Sequence, residues 1–189
     1  MNVPLTSWGS PPWKIDFRLP KPVLPDRVDF AVIGAGFTGL AAAAWLRLLA
    51  PEKSVAVLEA FHIGAGASGR TGGMALAETA AGDQRGLGDV LAGLEEILKK
   101  LRVNCDVHLD GAWEIARSGD TEGLRRSPIQ WNDSGTLRVV NEVPGGTVDP
   151  GKLVSGLARA ARNPRRGRSR QHSQAHRRKN RFCDQCSVS

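Results

Sequence analysis

The 189-residue sequence has little cysteine and no long apolar run. Three cysteines, Cys105, Cys183 and Cys186, are too few for a disulfide scaffold and are typical of a reducing compartment, so we expect a cytoplasmic protein. No stretch approaches the roughly 20 apolar residues that cross a bilayer, so no membrane partner is expected. The first residues lack a basic start followed by an apolar core, which excludes a secretory signal there.

The charge is unevenly distributed along the chain. Residues 1–162 carry 18 basic and 18 acidic residues, whereas residues 163–189 carry eight basic residues and one acidic residue. The net charge of +7 therefore comes entirely from the last 27 residues, which form a basic tail.

The spacing of apolar residues predicts the order of the secondary structure. Residues 1–28 hold six prolines between Pro4 and Pro25 and predict an extended leader, either pinned to the body by Trp8 and Trp13 or free. Buried strands are predicted over 29–33 and 54–58, around a helix over 38–49 that ends before Pro51. This is a βαβ unit with parallel strands.

Weaker signals follow this unit. Residues 61–83 have little periodicity, and an amphipathic helix is predicted over 87–101. Short strands are predicted over 112–116 and 136–140, and a turn over 144–147. A last helix is predicted to Arg162, with Asp149 as its N-cap and Pro150 as its first residue.

Three glycines at the turn of the βαβ unit form the pattern G-x-G-x-x-G, and Glu59 ends the second strand. Gly34 permits the tight turn, Gly36 lets a pyrophosphate approach the backbone, and Gly39 lets the helix pack on the strand. The helix N-terminus favours phosphates, and a carboxylate at position 59 accepts hydrogen bonds from a ribose diol while repelling a 2′-phosphate. The pattern predicts a dinucleotide site, FAD or NAD, and disfavours NADP.

A second glycine-rich stretch, "GAGASGRTGGMA", follows Glu59 directly. Together with "VIGAGFTGLAAAAWL" and "VAVLEA", it resembles the FAD-dependent oxidoreductases of the D-amino-acid oxidase type, in the glutamylputrescine oxidase-like branch. Those chains carry a G-A-S-G-R-N-G-G-like loop, and this chain has Thr71 at the usual asparagine. Arg70, a cation beside glycines, suits a phosphate, and the small residues allow a flat ring to approach.

The resemblance implies FAD as the cofactor. It also implies oxidation of the C–N bond of a small amine or amino acid, with dioxygen or another electron acceptor. The residues expected to bind FAD are Gly34, Ala35, Gly36, Phe37, Thr38, Gly39, Glu59, Ala60, Ser68, Gly69, Arg70, Thr71, Gly72 and Gly73. No catalytic residue can be assigned. No metal is expected. His62 and His108 are isolated and are interpreted as structural, and Cys105 as a packing residue.

The expected fold is α/β, a Rossmann-type FAD-binding domain with the beginning of a mixed α+β substrate domain. The FAD-binding part covers 29–110, the start of the substrate domain 111–148, and a helix returning to the FAD domain 149–162. The resemblance extends to about Arg162, and the matching residues make up well under half of such a fold. We therefore expect the 189-residue chain by itself to bind FAD weakly and to be inactive.

Three interpretations of the tail, residues 163–189, remain open. Its basic residues could bind nucleic acid, and His172, His176, Cys183 and Cys186 could bind zinc in an unusual order. We favour translation out of frame, because a compatible coding sequence shifted by one nucleotide encodes an apolar, strand-like segment over 165–187. A nucleic-acid partner is therefore not expected. The alternative functions are a non-catalytic dinucleotide-binding module with a nucleic-acid-binding tail, or an NAD-dependent dehydrogenase.

Overall fold

The computed structural model describes residues 9–18, 24–77, 86, 88–117 and 137–162. Within these ranges, the strands are β1 (Phe30–Ile33), β2 (Val55–Leu58), β3 (Met74–Leu76), β4 (Ala112–Arg117), β5 (Leu137–Val143) and β6 (Gly145–Thr147). The helices are α1 (Phe37–Leu49), α2 (Val90–Leu101) and α3 (Pro150–Arg162), with one 3₁₀ turn at Ala67–Gly69. No helix in these ranges has both the length and the apolar character needed to span a bilayer.

The described residues divide into two compact units. The first holds residues within 1–72, 98–105 and 149–162, and the second holds residues within 73–97 and 106–148. The elements β1, α1, β2 and α3 therefore belong to the first unit, and β3 to β6 belong to the second.

The first unit contains the predicted βαβ arrangement. Strands β1 and β2 pair in parallel from Phe30 opposite Val55 to Ile33 opposite Leu58. Helix α1 connects them and buries Leu40, Ala43 and Ala44. Small side chains on this face let the helix lie close to the sheet, and the order and parallel pairing of the three elements are confirmed.

Strand β1 differs from the expected buried strand. Ile33 is 77% exposed and Phe30 is 37% exposed, whereas Val55 and Val57 of β2 are buried. An apolar run indicates burial on both faces only when neighbouring elements cover both faces. Within the described residues this sheet consists of β1 and β2 alone, and the side chains of Phe30 and Ile33 are not covered.

Helix α3 packs against α1 in the first unit. Asp149 caps it as expected, because its Oδ1 accepts a hydrogen bond of 2.8 Å from the backbone N–H of Lys152. Pro150 is the first helical residue. Val154, Leu157, Ala158 and Ala161 are almost fully buried, so α3 completes the apolar core of this unit.

The strands of the second unit form antiparallel pairs, and this unit also holds residues 90–97 of α2. Strand β4 pairs with β5, and β3 pairs with β6. The expected turn at 144–147 is wrong, because Gly145–Thr147 forms a strand whose partner, β3, lies about 70 residues earlier in the sequence. The aperiodic segment predicted over 61–83 likewise contains β3 and the 3₁₀ turn.

The remaining predictions concern α2, the isolated Cys and His residues, and parts of the chain outside the described residues. Helix α2 is confirmed, although Leu98 is its one buried residue. Cys105 is buried and forms no disulfide, in keeping with a packing residue, whereas His62 and His108 are exposed. Trp8, most of 78–87, residues 118–136 and the tail with its His and Cys residues lie outside the described residues.

Candidate functional site

The turn between β1 and α1 is built on the three glycines of the motif. Gly34 has a φ of +94°, a backbone conformation that L side chains rarely adopt, and its N–H donates to Leu58 O at 2.7 Å. A Cβ on Gly39 would overlap the carbonyl oxygen of Gly34 and lie 3.4 Å from Val32 Cγ1. The turn and the first helical residues are therefore in direct backbone contact.

The N-terminus of α1 carries no negative charge of its own. Gly36 is the N-cap, it provides no side-chain cap, and the first turn contains no acidic residue. The N–H of Phe37 donates to Ser68 Oγ and the N–H of Leu40 to Gly36 O, while those of Thr38 and Gly39 have no acceptor within the helix. This end of the helix has the positive potential that attracts a phosphate.

The carboxylate of Glu59 lies beside the glycine turn, at the end of β2. Its Oε2 accepts a hydrogen bond of 2.7 Å from Ala35 N, and its Oε1 accepts one of 3.1 Å from Phe61 N. Each carboxylate oxygen can accept more than one hydrogen bond, so the half-buried group retains capacity for a ligand hydroxyl. Ala60, which follows it, is exposed.

Ser68 joins the two glycine-rich stretches of the sequence. Its Oγ accepts a hydrogen bond of 2.9 Å from Phe37 N, and a Cβ on Gly36 would lie 2.8 Å from the same Oγ. A second link runs from Gly64 N to Ala35 O at 3.0 Å. The hydroxyl of Ser68 therefore lies at the N-terminus of α1.

The leader bonds Arg70 and Thr71 of the second stretch, while the glycines around them make other contacts. Gly69 is buried against the carbonyl oxygen of Gly64, Arg70 Nη2 donates to a leader carbonyl at 2.8 Å, and Thr71 O accepts a leader indole N–H at 2.8 Å. Gly72 is exposed. Gly73 has a φ of +81° and belongs to the second unit, where its carbonyl accepts from Val148 N at 2.8 Å.

One carboxylate fixes the start of the sheet that carries the site. Asp29 Oδ2 accepts hydrogen bonds from Ser54 Oγ at 2.6 Å and from Ser54 N at 2.8 Å, and Asp29 Oδ1 lies 3.5 Å from Lys53 Nζ. These hydrogen bonds, together with the nearby ammonium group, lower the pKa of Asp29 to about 2. The residues that immediately precede β1 and β2 are therefore joined through the Asp29 side chain, next to the pairing of the two strands.

A buried cation lies at the opposite end of α1. Arg47 is 6% exposed, and its Nη2 donates to Val55 O at 3.0 Å. Its Nε and Nη1 have no hydrogen-bond partner within the described residues. Burial lowers the pKa of this guanidinium.

The geometry at the N-terminus of α1 fits the diphosphate of a dinucleotide. It combines a positive helix end, a hydroxyl from Ser68, and a glycine where a side chain would approach that hydroxyl. Glu59 adds an acceptor suited to a ribose. Within the described residues, no group of three His, Cys, Asp or Glu side chains forms a metal site.

Comparison with known proteins identifies the family. The family model described as "FAD dependent oxidoreductase" (DAO) matches residues 29–185. The match therefore continues past Arg162, where the sequence resemblance was expected to end, into the basic tail. The family is FAD dependent, in agreement with the expected cofactor.

Two individual proteins illustrate the similarity. "Probable oxidoreductase OrdL" of Haemophilus influenzae is 49% identical over 61 residues, which are 32% of this chain and 14% of that protein. The crystal structure of glycine oxidase from Bacillus cereus aligns with a TM-score of 0.50 at 19% identity, over 71% of this chain and 44% of that one. This chain therefore covers less than half the length of each of these two relatives. By the family match over 29–185, this chain belongs to the FAD dependent oxidoreductases of the DAO family.

Proposed function

We propose that the N-terminus of α1 holds the ADP half of FAD. The observation that carries this proposal is the 2.9 Å hydrogen bond from Phe37 N to Ser68 Oγ, which joins two glycine-rich stretches 31 residues apart. A single extended ligand accounts for both stretches, because one lies at the helix end and the other leads away from it.

Each group of this site has a separate role. The first-turn N–H groups of α1 bind the diphosphate, and the Ser68 hydroxyl turns to donate to a phosphate oxygen. The Glu59 carboxylate accepts from the ribose diol and repels a 2′-phosphate. Ser68, Gly69, Arg70, Thr71 and Gly72 follow the pyrophosphate towards the ring, and Gly73 is assigned to the ring on the sequence resemblance.

We propose that the reaction is oxidation of a C–N bond in a small amine or amino acid. FAD, when bound, would accept a hydride from the carbon that bears the nitrogen, and water would hydrolyse the resulting imine. Dioxygen or another acceptor reoxidises the cofactor. Support comes from the family match and from a fold shared with a glycine oxidase. The protein contributes by orienting the cofactor.

We also propose that successive parts of the chain have different roles in cofactor and substrate binding. Residues 29–110 supply the cofactor-binding part, residues 111–148 begin the substrate-facing domain, and α3 returns to the cofactor-binding part. In support, α3 packs on α1 in the first unit and residues 111–117 lie in the second.

Cofactor choice is tested by titrating the chain with FAD while flavin fluorescence is followed, and by repeating the titration with NAD or NADP present as a competitor. We expect saturable but weak FAD binding that neither nicotinamide dinucleotide prevents at equal concentration. Preferential binding of NAD would contradict the proposal.

The reaction is tested on the gene product after its coding sequence across codons 160–190 has been determined. An in-frame reading of the tail would refute the frame-slip prediction. If the coding sequence continues in the shifted frame, the longer product should release ammonia from an amine or amino acid and lose its visible flavin absorbance under anaerobic conditions, whereas the 189-residue chain should do neither. Flavin reduction by an alcohol or by NADH without ammonia would refute the amine assignment.

A further inference from the structure

Residues 9–18 of the leader, called here the strap, contact the second glycine-rich stretch directly. The indole N–H of Trp13 donates to Thr71 O at 2.8 Å, and Gly9 O accepts from Arg70 Nη2 at 2.8 Å. A Cβ on Gly69 would lie 3.1 Å from Pro11 Cβ. The strap therefore holds both a backbone carbonyl and the guanidinium of this loop.

The strap is anchored separately on α3. Asp16 N donates to the buried Ser155 Oγ at 2.9 Å, and Arg159 Nη2 donates to Asp16 O at 2.7 Å. A Cβ on Gly151 would overlap Lys14 O, so α3 and the strap are in backbone contact. These contacts fix the strap on a helix of the core, whether or not a ligand is bound.

The backbone hydrogen bonds between residues 66 and 71 form one short turn. These hydrogen bonds are local: Gly69 N to Gly66 O at 3.3 Å, and Arg70 N and Thr71 N to Ala67 O at 2.9 and 3.0 Å. A single 3₁₀ turn of this kind opens readily, because short turns have little cooperative stability. The strap bonds, which join positions 58 and 61 residues apart, supply a long-range restraint.

We propose that the strap is a positioning element that holds the loop from Ser68 to Thr71 in its cofactor-ready shape, with Trp13 as the positioning residue. Holding a binding loop in its bound shape removes the ordering cost from the binding step, and so increases affinity without a new ligand contact. The inference about affinity rests on the proposed FAD site. The inference about loop shape rests on the strap contacts alone.

The test compares Trp13→Phe with the wild-type chain by amide hydrogen exchange and FAD titration. Phenylalanine keeps an aromatic ring but cannot donate to Thr71 O. We expect the amides of residues 69–71 to exchange about fivefold faster and the Kd for FAD to rise about fivefold, the equivalent of one ordinary hydrogen bond. Trp45→Phe is the matched control, since Trp45 lies on α1 under Lys100 and should move neither quantity.

A second variant weakens the strap at its other anchor. Ser155→Ala removes the acceptor for Asp16 N, and we expect faster exchange at residues 69–71 here as well. Urea unfolding of each variant separates positioning from general stability. A merely structural contact would lower the free energy of unfolding and leave the Kd of the folded protein unchanged, which would overturn the inference about affinity.

The two proposals fail in different ways. A wild-type chain that binds no FAD contradicts the proposed function, and the strap is then judged on hydrogen exchange alone. Faster exchange confined to the loop in Trp13→Phe supports the strap. Unchanged loop exchange in both variants overturns it, whatever the affinity for FAD.

Discussion

Replacing Gly39 by alanine should destabilise the first unit, although the position lies inside a helix. The new Cβ would overlap the carbonyl oxygen of Gly34 and contact Val32 Cγ1 at 3.4 Å. Gly34 O is a backbone atom, and the φ of Gly34 is +94°. This oxygen therefore cannot rotate away as the end of a side chain would. The helix has to move off the strand to accommodate the methyl group.

The size of the effect follows from two opposing terms. Forcing a methyl group into a close-packed contact costs about 1–3 kcal/mol, and a backbone neighbour favours the upper part of that range. Alanine in place of glycine in a helix contributes up to about 1 kcal/mol in the other direction. We therefore expect Gly39→Ala to lower the free energy of unfolding by about 2 kcal/mol.

Helix α2 supplies a matched control. A Cβ on Gly93 meets nothing within 4 Å, so Gly93→Ala gains the helix propensity without the clash. We expect Gly93→Ala to raise the free energy of unfolding by up to about 1 kcal/mol. Urea unfolding followed by far-UV circular dichroism measures both. Equal shifts of the same sign in the two variants, or a Gly39→Ala chain as stable as the wild type, would refute the reasoning.

Three further predictions concern the site and its support. Gly36→Ala should change the free energy of unfolding by less than about 1 kcal/mol, because the new Cβ meets the movable Ser68 Oγ. The same variant should weaken ADP binding about tenfold. Urea unfolding measures the first effect and calorimetry the second. Glu59→Gln should reduce the preference for ADP over 2′-phosphorylated ADP in competition dialysis, and an unchanged preference would show that the carboxylate does not read the ribose. Asp29, whose pKa is lowered to about 2 in the folded chain against about 3.9 in unfolded chains, stabilises the fold above pH 4 or so, and this contribution is lost as the pH falls towards 2. The gap in melting temperature between the wild type and Asp29→Asn should thus narrow as the pH falls from 4 to 2, and a gap that is undiminished at pH 2 would be contrary to this prediction.

The βαβ unit could be predicted because its signals are local. The apolar run of β1, the three glycines and the acid at position 59 follow one another within about 30 residues, and each has a physical reason at its place. The N-cap of α3 could be predicted for the same reason, since Asp149 and Pro150 act on the turn that they begin.

Features that depend on distant partners could not be predicted. The glycines of β6 indicate a turn when taken alone, and only pairing with β3 makes them a strand. The exposure of Ile33 depends on what covers the sheet, which an apolar run does not specify. The sequence leaves open whether the leader is pinned by tryptophan or free, because no local pattern shows that Trp13 reaches Thr71.

The central claim is that the N-terminus of α1 binds the ADP half of FAD. The most direct measurement is an NMR titration of the isotope-labelled chain with ADP, which follows each backbone amide. We predict the largest shifts at Gly34 to Gly39 and at Ser68, and smaller shifts in the same titration of Gly36→Ala. Shifts that are absent at the glycine turn, or that cluster around Arg47 at the other end of α1, would contradict the claim.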